Sequence, residues 1–151
     1  MSSLKAITVL LADDNIVVRK AFRKMLEAEA DLEVVGEAKN GKQAVVLSQK
    51  LRPTLVLMDI AMPLLNGLQA TRQILEVLPA TKVLMLSAHS DDVYVEEAVR
   101  AGAMGYLIKQ ISTDSVCLAI REVLKGDRFL SPSILKTLKK RNRKEQMHCA
   151  A

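Results

Sequence analysis

Cysteine and histidine are too few and too scattered in this chain for thiol or zinc chemistry. Cys117 and Cys149 lack metal-ligand spacing and a secretory context, and His89 and His148 are isolated. Neither a zinc cluster nor a nucleophile–histidine pair can be assembled from them. A reduced cytoplasmic protein is expected. No apolar run approaches the length of a membrane span, and the opening "MSSLKAITVLLADD" breaks into acid too soon for a signal peptide. No internal repeat or low-complexity segment is present, and there is no tryptophan.

Excess charge of one sign is also missing from most of the chain. Residues 1–126 hold 15 Lys/Arg and 15 Asp/Glu, so the net +5 arises after them. Residues 127–151 carry Arg128, Lys136, Lys139, Lys140, Arg141, Arg143 and Lys144 against Asp127 and Glu145. The high pI is a property of the tail, and it gives no reason to assign nucleic-acid binding to the body. The tail's basic stretch "KTLKKRNRKEQ" (136–146) has no interleaved aromatics and reads as a solvated linker. Arg19, Lys20, Arg23 and Lys24 likewise read as the solvated face of a first helix.

What is present is a soluble composition, half hydrophobic and a quarter charged, over 151 residues. That length fits one domain with one sizeable core. Short β-type runs alternate five times with helical patterns. "AITVLLA" (6–12) precedes apolar Val18, Ala21, Phe22, Met25 and Leu26; "LEVVGEA" (32–38) precedes Ala44, Leu47 and Leu51. "TLVLMD" (54–59) precedes Ala70, Ile74, Leu75 and Leu78; "KVLMLS" (82–87) precedes Val95, Ala98 and Val99, ended by Gly102. "GYLIK" (105–109) precedes Val116, Ala119, Ile120 and Val123, ended by Gly126. The runs at 7–11, 55–58 and 83–86 are nearly continuous in apolar character, as central strands covered on both faces require. "LEVVGEA" is more polar and suits an edge. An open doubly wound α/β sheet is expected.

The strand ends line up. The first run stops at Asp13-Asp14, the third at Asp59, the fourth at Ser87 and the fifth at Lys109. Doubly wound sheets bind ligands outside the carboxyl ends of their strands. With strand order 2-1-3-4-5, the first and third strands are neighbours and three carboxylates converge. Two unit charges 4 Å apart at an effective dielectric near 20 repel by about 4 kcal/mol. Either a carboxyl keeps its proton or a cation sits among them. An all-oxygen donor set with an open side favours Mg²⁺. With Lys109 opposite and the Ser87 hydroxyl alongside, the set describes a metal-assisted phosphoryl site with a carboxylate nucleophile.

"LLADDN" (10–15), "LVLMDIAMPLLNG" (55–67), "LMLSAH" (84–89) and "AGAMGYLIK" (101–109) together resemble the receiver domain of two-component response regulators, over roughly residues 4–126. The resemblance implies a (βα)5 flavodoxin-like parallel sheet of order 2-1-3-4-5, with a receiver at 1–126 and a basic, partly helical extension at 127–151. It implies Asp59 as phosphoacceptor from a sensor histidine kinase. Asp14, Asp59 and the Ala61 backbone carbonyl would bind Mg²⁺, with Asp13 acting mainly through water. Lys109 and Ser87 would contact the phosphoryl group, and Tyr106 would be the aromatic switch. Phosphorylation would then draw Ser87 and Lys109 inward and shift the surface of the fourth helix, fifth strand and fifth helix, with homodimerisation as one consequence. The first helix would also meet the kinase.

Several residues bound this reading. Helix N-capping is the plainer role for Asp13, Asp14 or Asn15, and a half-buried strand aromatic is the plainer role for Tyr106. Many receivers place a proline after the lysine; here Gln110 follows, so a trans bond or a differently shaped loop is expected. Gln110 and "KGDRFLSPSILKTL" (125–138) resemble the NarL/LuxR-type subfamily, whose receivers precede a helix-turn-helix DNA-binding domain. Too few residues follow Leu138 for such a reader, so DNA contact would need an output domain not in this chain. Asp-nucleophile phosphatases carry a second Asp two residues after the nucleophile; here Ala61 stands there, which argues against turnover on external substrates. A phosphorylation-independent interaction module is the third alternative. Ala61 and His89 would flank the attack path and influence the phosphoryl lifetime.

Overall fold

In the computed structural model, residues 6–88, 92–109 and 113–130 are described. The elements run β1 (Ile7–Ala12), α1 (Ile16–Glu27), β2 (Leu32–Ala38), α2 (Gly41–Leu51), β3 (Leu55–Asp59), α3 (Gly67–Val77), β4 (Lys82–Ser87), α4 (Asp92–Ala101), β5 (Gly105–Ile108), α5 (Thr113–Leu124) and β6 (Phe129–Leu130). Every strand pairing is parallel, and the sheet order is β2-β1-β3-β4-β5-β6. The expected 2-1-3-4-5 order holds, with β2 at an edge. The two-residue β6 was not anticipated: it pairs Gly105 with Phe129 beyond β5. Two residues carry too little periodicity to announce a strand.

Alternation within each strand divides the core into two layers. Leu10, Val56, Met58, Val83, Met85 and Tyr106 pack on the α2–α4 side with Ala44, Ile74, Val95 and Ala98. Val9, Leu11, Leu55, Leu57, Leu84, Leu86 and Leu107 pack on the other side with Phe22, Leu26, Val116, Ile120 and Val123. Both faces are covered, which is why the central strands read as unbroken apolar runs. Truncating one of these side chains would cost about 2–5 kcal/mol. Among the described residues, no helix is long and apolar enough to cross a membrane.

Asparagines start three helices. Asn15, Asn40 and Asn66 each accept from backbone N–H groups of the first turn, and Gln69 completes a capping box with Asn66. Gly102 and Gly126 stop their helices at positive φ, as the sequence pattern predicts.

Three details depart from the pattern. Ala21 is exposed rather than part of the α1 core stripe, and Leu51 is exposed at the end of α2. The α1 cations are not all a solvated face either. Arg19 is 11% exposed at its side chain and pairs with Glu37 of β2, as does Arg23. Helical spacing does not reveal an acid contributed by a neighbouring strand. The expectations for His89, for Gln110 and its bond, and for the tail after Leu130 fall outside the described residues.

Candidate functional site

The parallel ladders bring the functional strand ends to one rim of the sheet. Ala12 pairs with Met58, Asp59 with Leu86, and Ser87 with Ile108. Past the strands, Asp13 N–H donates to Ala38 O at 3.0 Å, Ile60 N–H to Leu86 O at 3.2 Å, and Lys109 N–H to Ser87 O at 2.8 Å. The backbone at the rim is therefore fixed, and the side chains leaving it converge.

Asp13, Asp14 and Asp59 each offer a carboxylate oxygen within 4.8 Å of the others. Asp13 and Asp59 are buried, at 3% and 2% exposure, while Asp14 is exposed and opens the cluster to solvent. Lys109 Nζ lies 3.0 Å from Asp13 Oδ2 and 3.2 Å from Asp59 Oδ2. Ala61 N–H donates to Asp59 Oδ1 at 3.4 Å. Asp13 Oδ1 accepts from Asn15 N–H at 2.8 Å.

Helix capping does not account for these acids. Asn15 Oδ1 takes the N–H groups of Val17 and Val18 at 2.9 and 3.2 Å, so the α1 cap is occupied by its neighbour. The electrostatics show the strain of the cluster. Burial, then the charge of Asp13, push the Asp59 carboxyl up to about 6 despite the opposing Lys109 ammonium. Burial works against the Lys109 charge too, but hydrogen bonding to Asp13 and the charges of Asp59 and Asp13 hold its pKa above the ordinary lysine value. One ammonium against three carboxylates leaves a deficit of positive charge. Three converging oxygens, with an open side at Asp14, fit a small hard cation such as Mg²⁺.

Beside the cluster lies an open pocket of about 340 Å³ bounded by Asp59, Ala61, Ser87, Lys109, Asn66 and Tyr94, among others. Ser87 ends β4 on this pocket and is buried. Tyr106 is wholly buried in the α2–α4 layer and lies away from the pocket lining. The sequence reading missed Asn66 and Tyr94. Asn66 was within reach, because Asn followed three residues on by Gln69 is a capping-box signature. Tyr94 sits in the first turns of α4 with nothing in its spacing to mark it. Arg19 was missed as well: its Nη1 donates to the Asp13 backbone carbonyl at 2.6 Å.

A parallel sheet with this acidic rim, a lysine beyond β5 and a hydroxyl at the end of β4 is the arrangement of a receiver-type signalling domain. Residues 9–121 match the response regulator receiver domain, and the chain belongs to that family. It is 36% identical over 138 residues to the transcriptional regulatory protein DegU of Brevibacillus brevis, covering 91% of this chain and 58% of DegU. Identity to the transcriptional regulatory protein LnrK of Bacillus subtilis is 38% over 128 residues, 85% of this chain and 58% of LnrK. The chain thus spans little more than half the length of these regulators. A crystal structure of a LuxR-family two-component response regulator from Aurantimonas superposes with a TM-score of 0.87 at 30% identity, covering 91% of this chain and 99% of the other.

Proposed function

We propose that this chain is a phosphorylation-switched receiver module that accepts a phosphoryl group on Asp59 from a sensor histidine kinase. The observation that carries the reading is the contact of Asp59 with Lys109 inside the Asp13–Asp14–Asp59 cluster, at the mouth of an open pocket. Asp14, Asp59 and the Ala61 carbonyl would hold Mg²⁺, with Asp13 acting mainly through water, and the bound ion would supply charge neutralisation for the incoming phosphoryl group.

The remaining chemistry belongs to the chain. With its pKa near 6, Asp59 is mostly ionised at neutral pH and serves as nucleophile. A carboxylate oxygen attacks phosphorus, the P–N bond of phosphohistidine breaks, and the electron pair leaves with the imidazole. The product is an acyl phosphate on Asp59. Lys109 pairs with the new phosphoryl oxygens, and the Ser87 hydroxyl donates to one of them. Catalysis is positioning and electrostatic stabilisation. Ala61, two residues past Asp59, provides no general acid, so no turnover on an external substrate follows.

Movement of Ser87 and Lys109 toward the phosphoryl group repositions Tyr106 and the α4–β5–α5 surface, with homodimerisation as one outcome. The receiver unit is assigned to residues 1–126 and residues 127–151 to a basic linker. Output is control of transcription, in keeping with the transcriptional regulatory proteins DegU and LnrK that it resembles, and the protein works in the cytoplasm.

The test is intact mass after incubation with acetyl phosphate, with and without Mg²⁺, for wild type and Asp59→Asn. A single Mg²⁺-dependent phosphoryl adduct, absent in the mutant, is expected. An adduct of equal yield in Asp59→Asn would overturn the assignment.

A further inference from the structure

Arg19 stands apart from the other α1 cations. Its guanidinium is nearly buried, and it holds two groups at once: Nη1 donates to the Asp13 backbone carbonyl at 2.6 Å, and Nε donates to Glu37 Oε1 at 2.9 Å. Asp13 is thereby gripped on both sides of its Cα, because its N–H already donates to Ala38 O at 3.0 Å. Both peptide groups that orient the Asp13 side chain are tied to β2, one directly and one through Arg19 and Glu37.

The fold makes this contact deliberately available. The β1–β2 register shifts between Val9 and Leu10, so that Val9 pairs with Val34 but Leu10 pairs with Gly36. Leu32 and Val34 face the α1–α5 layer. Unbroken alternation would turn Glu37 to the opposite face. The bulge restores it to the α1 side, opposite Leu11, where Arg19, Lys20 and Arg23 reach it at 2.9, 3.2 and 2.6 Å. Burial works against the Glu37 charge, but the hydrogen bonds from Arg23, Arg19 and Lys20 hold its pKa down to about 2. Glu37 is thus an anion throughout the working range and a fixed anchor for the guanidinium.

The surroundings leave no easy substitute. A void of only about 10 Å³ lies between Asp13, Arg19, Phe22 and Leu57, at the lower limit for a single water. Apart from Asp13 and Arg19, that void is lined by Leu11, Ala12, Phe22, Leu57 and Leu86. We infer that Arg19, braced by Glu37, is a positioning residue for the acidic cluster, setting the Asp13 carboxylate at the geometry that cation binding requires. Partners of a metal's direct ligands, when lost, weaken affinity by about 10–100-fold; Arg19 acts through Asp13, which reaches the ion mainly through water, so the low end of that range applies. Arg23 shares Glu37, but its hydrogen bonds go to Glu37 and Glu27 rather than to Asp13, so it supplies the internal control.

This inference rests on the cation-site reading proposed above. The experiment is Mg²⁺ titration followed by backbone amide NMR shifts, alongside urea unfolding in EDTA, for wild type, Arg19→Met, Arg19→Lys and Arg23→Met. Arg19→Met is expected to weaken Mg²⁺ binding by about tenfold or more, and Arg23→Met by no more than about twofold, whatever stability each loses. Arg19→Lys, which keeps the charge but not the fork, should fall between wild type and Arg19→Met; it carries the test alone should Arg19→Met not fold. Unchanged affinity in the Arg19 variants, or equal weakening in Arg23→Met, would overturn the positioning role. Absence of Mg²⁺ binding by wild type would instead overturn the cation site itself.

Discussion

Gly67, the first residue of α3, lies against the backbone of Asp59 so closely that a Cβ on it would overlap the Asp59 carbonyl group. Its N–H donates to Ile60 O at 2.8 Å, which pins the helix start to the end of β3. The glycine that closes the Asp59-to-Gly67 loop is there because no other residue leaves room. Gly67→Ala is expected to cost about 1–3 kcal/mol through overpacking. Because the displaced atoms belong to the peptide of the proposed phosphoacceptor, it should lower the yield of the Asp59 adduct even under conditions where the variant is folded. Urea unfolding by circular dichroism and intact mass with acetyl phosphate measure the two effects separately.

Asp59 pulls stability in the direction opposite to most surface carboxylates. Its pKa rises on folding from 3.8 to about 6, so the folded state holds a proton that the unfolded state releases. The corresponding stability is full below pH 3.8 and is lost as pH rises through 6. At about 1.4 kcal/mol per unit, the deficit at pH 7 is about 3 kcal/mol. In EDTA, wild-type stability should fall between about pH 4 and pH 6.5. Asp59→Asn should lack that fall and be about 2 kcal/mol more stable at pH 7.

Mg²⁺ should reverse the deficit in wild type, because the proposed site exists only in the folded chain. At one hundred times its dissociation constant the gain is about 2.7 kcal/mol. Chelation should remove it, and Asp14→Asn should reduce it. Thermal unfolding at pH 7 across a Mg²⁺ series gives the comparison.

Glu37 shapes the acid limb. Its pKa is held at about 2 against an ordinary 4.5, so its contribution is present above pH 4.5 and lost as pH falls through 2. Glu37→Gln should lose about 2–3 kcal/mol at pH 7 and flatten the acid limb. Combined with Asp59, the metal-free wild type should be most stable near about pH 4–5, and a urea-unfolding series by pH would locate that maximum.

Ser48 offers a gain. It is wholly buried on α2, and its hydroxyl has no hydrogen-bond partner among the described residues. Ser48→Ala should stabilise by about 1 kcal/mol, with Mg²⁺ affinity and adduct yield unchanged.

Periodicity exposed the sheet and its five helices because burial on both faces leaves an unmistakable apolar record in β1, β3 and β4. The rim was legible because Asp13, Asp14, Asp59, Ser87 and Lys109 each interrupt such a run. Arg19 was not legible: its partners lie on β2 and on the Asp13 backbone, and only a bulge brings Glu37 round to meet it. Tyr94 reaches the pocket through the placement of α4, which sequence spacing alone does not set. The short β6 owes its existence to a two-residue pairing with β5 rather than to any pattern of its own.

Because Asn15 caps α1, neither acidic neighbour is needed to start the helix. Scaffold and chemistry are therefore assigned to adjacent but different residues, and charge can be removed from the rim without unwinding what supports it. Inactivation is then the downhill direction for a lineage of such chains. In the metal-free state, a copy that loses Asp59 is expected to gain stability. Selection for signalling has to hold the acids in place against that gradient, and a copy released from it would drift toward a silent scaffold rather than toward an unfolded chain.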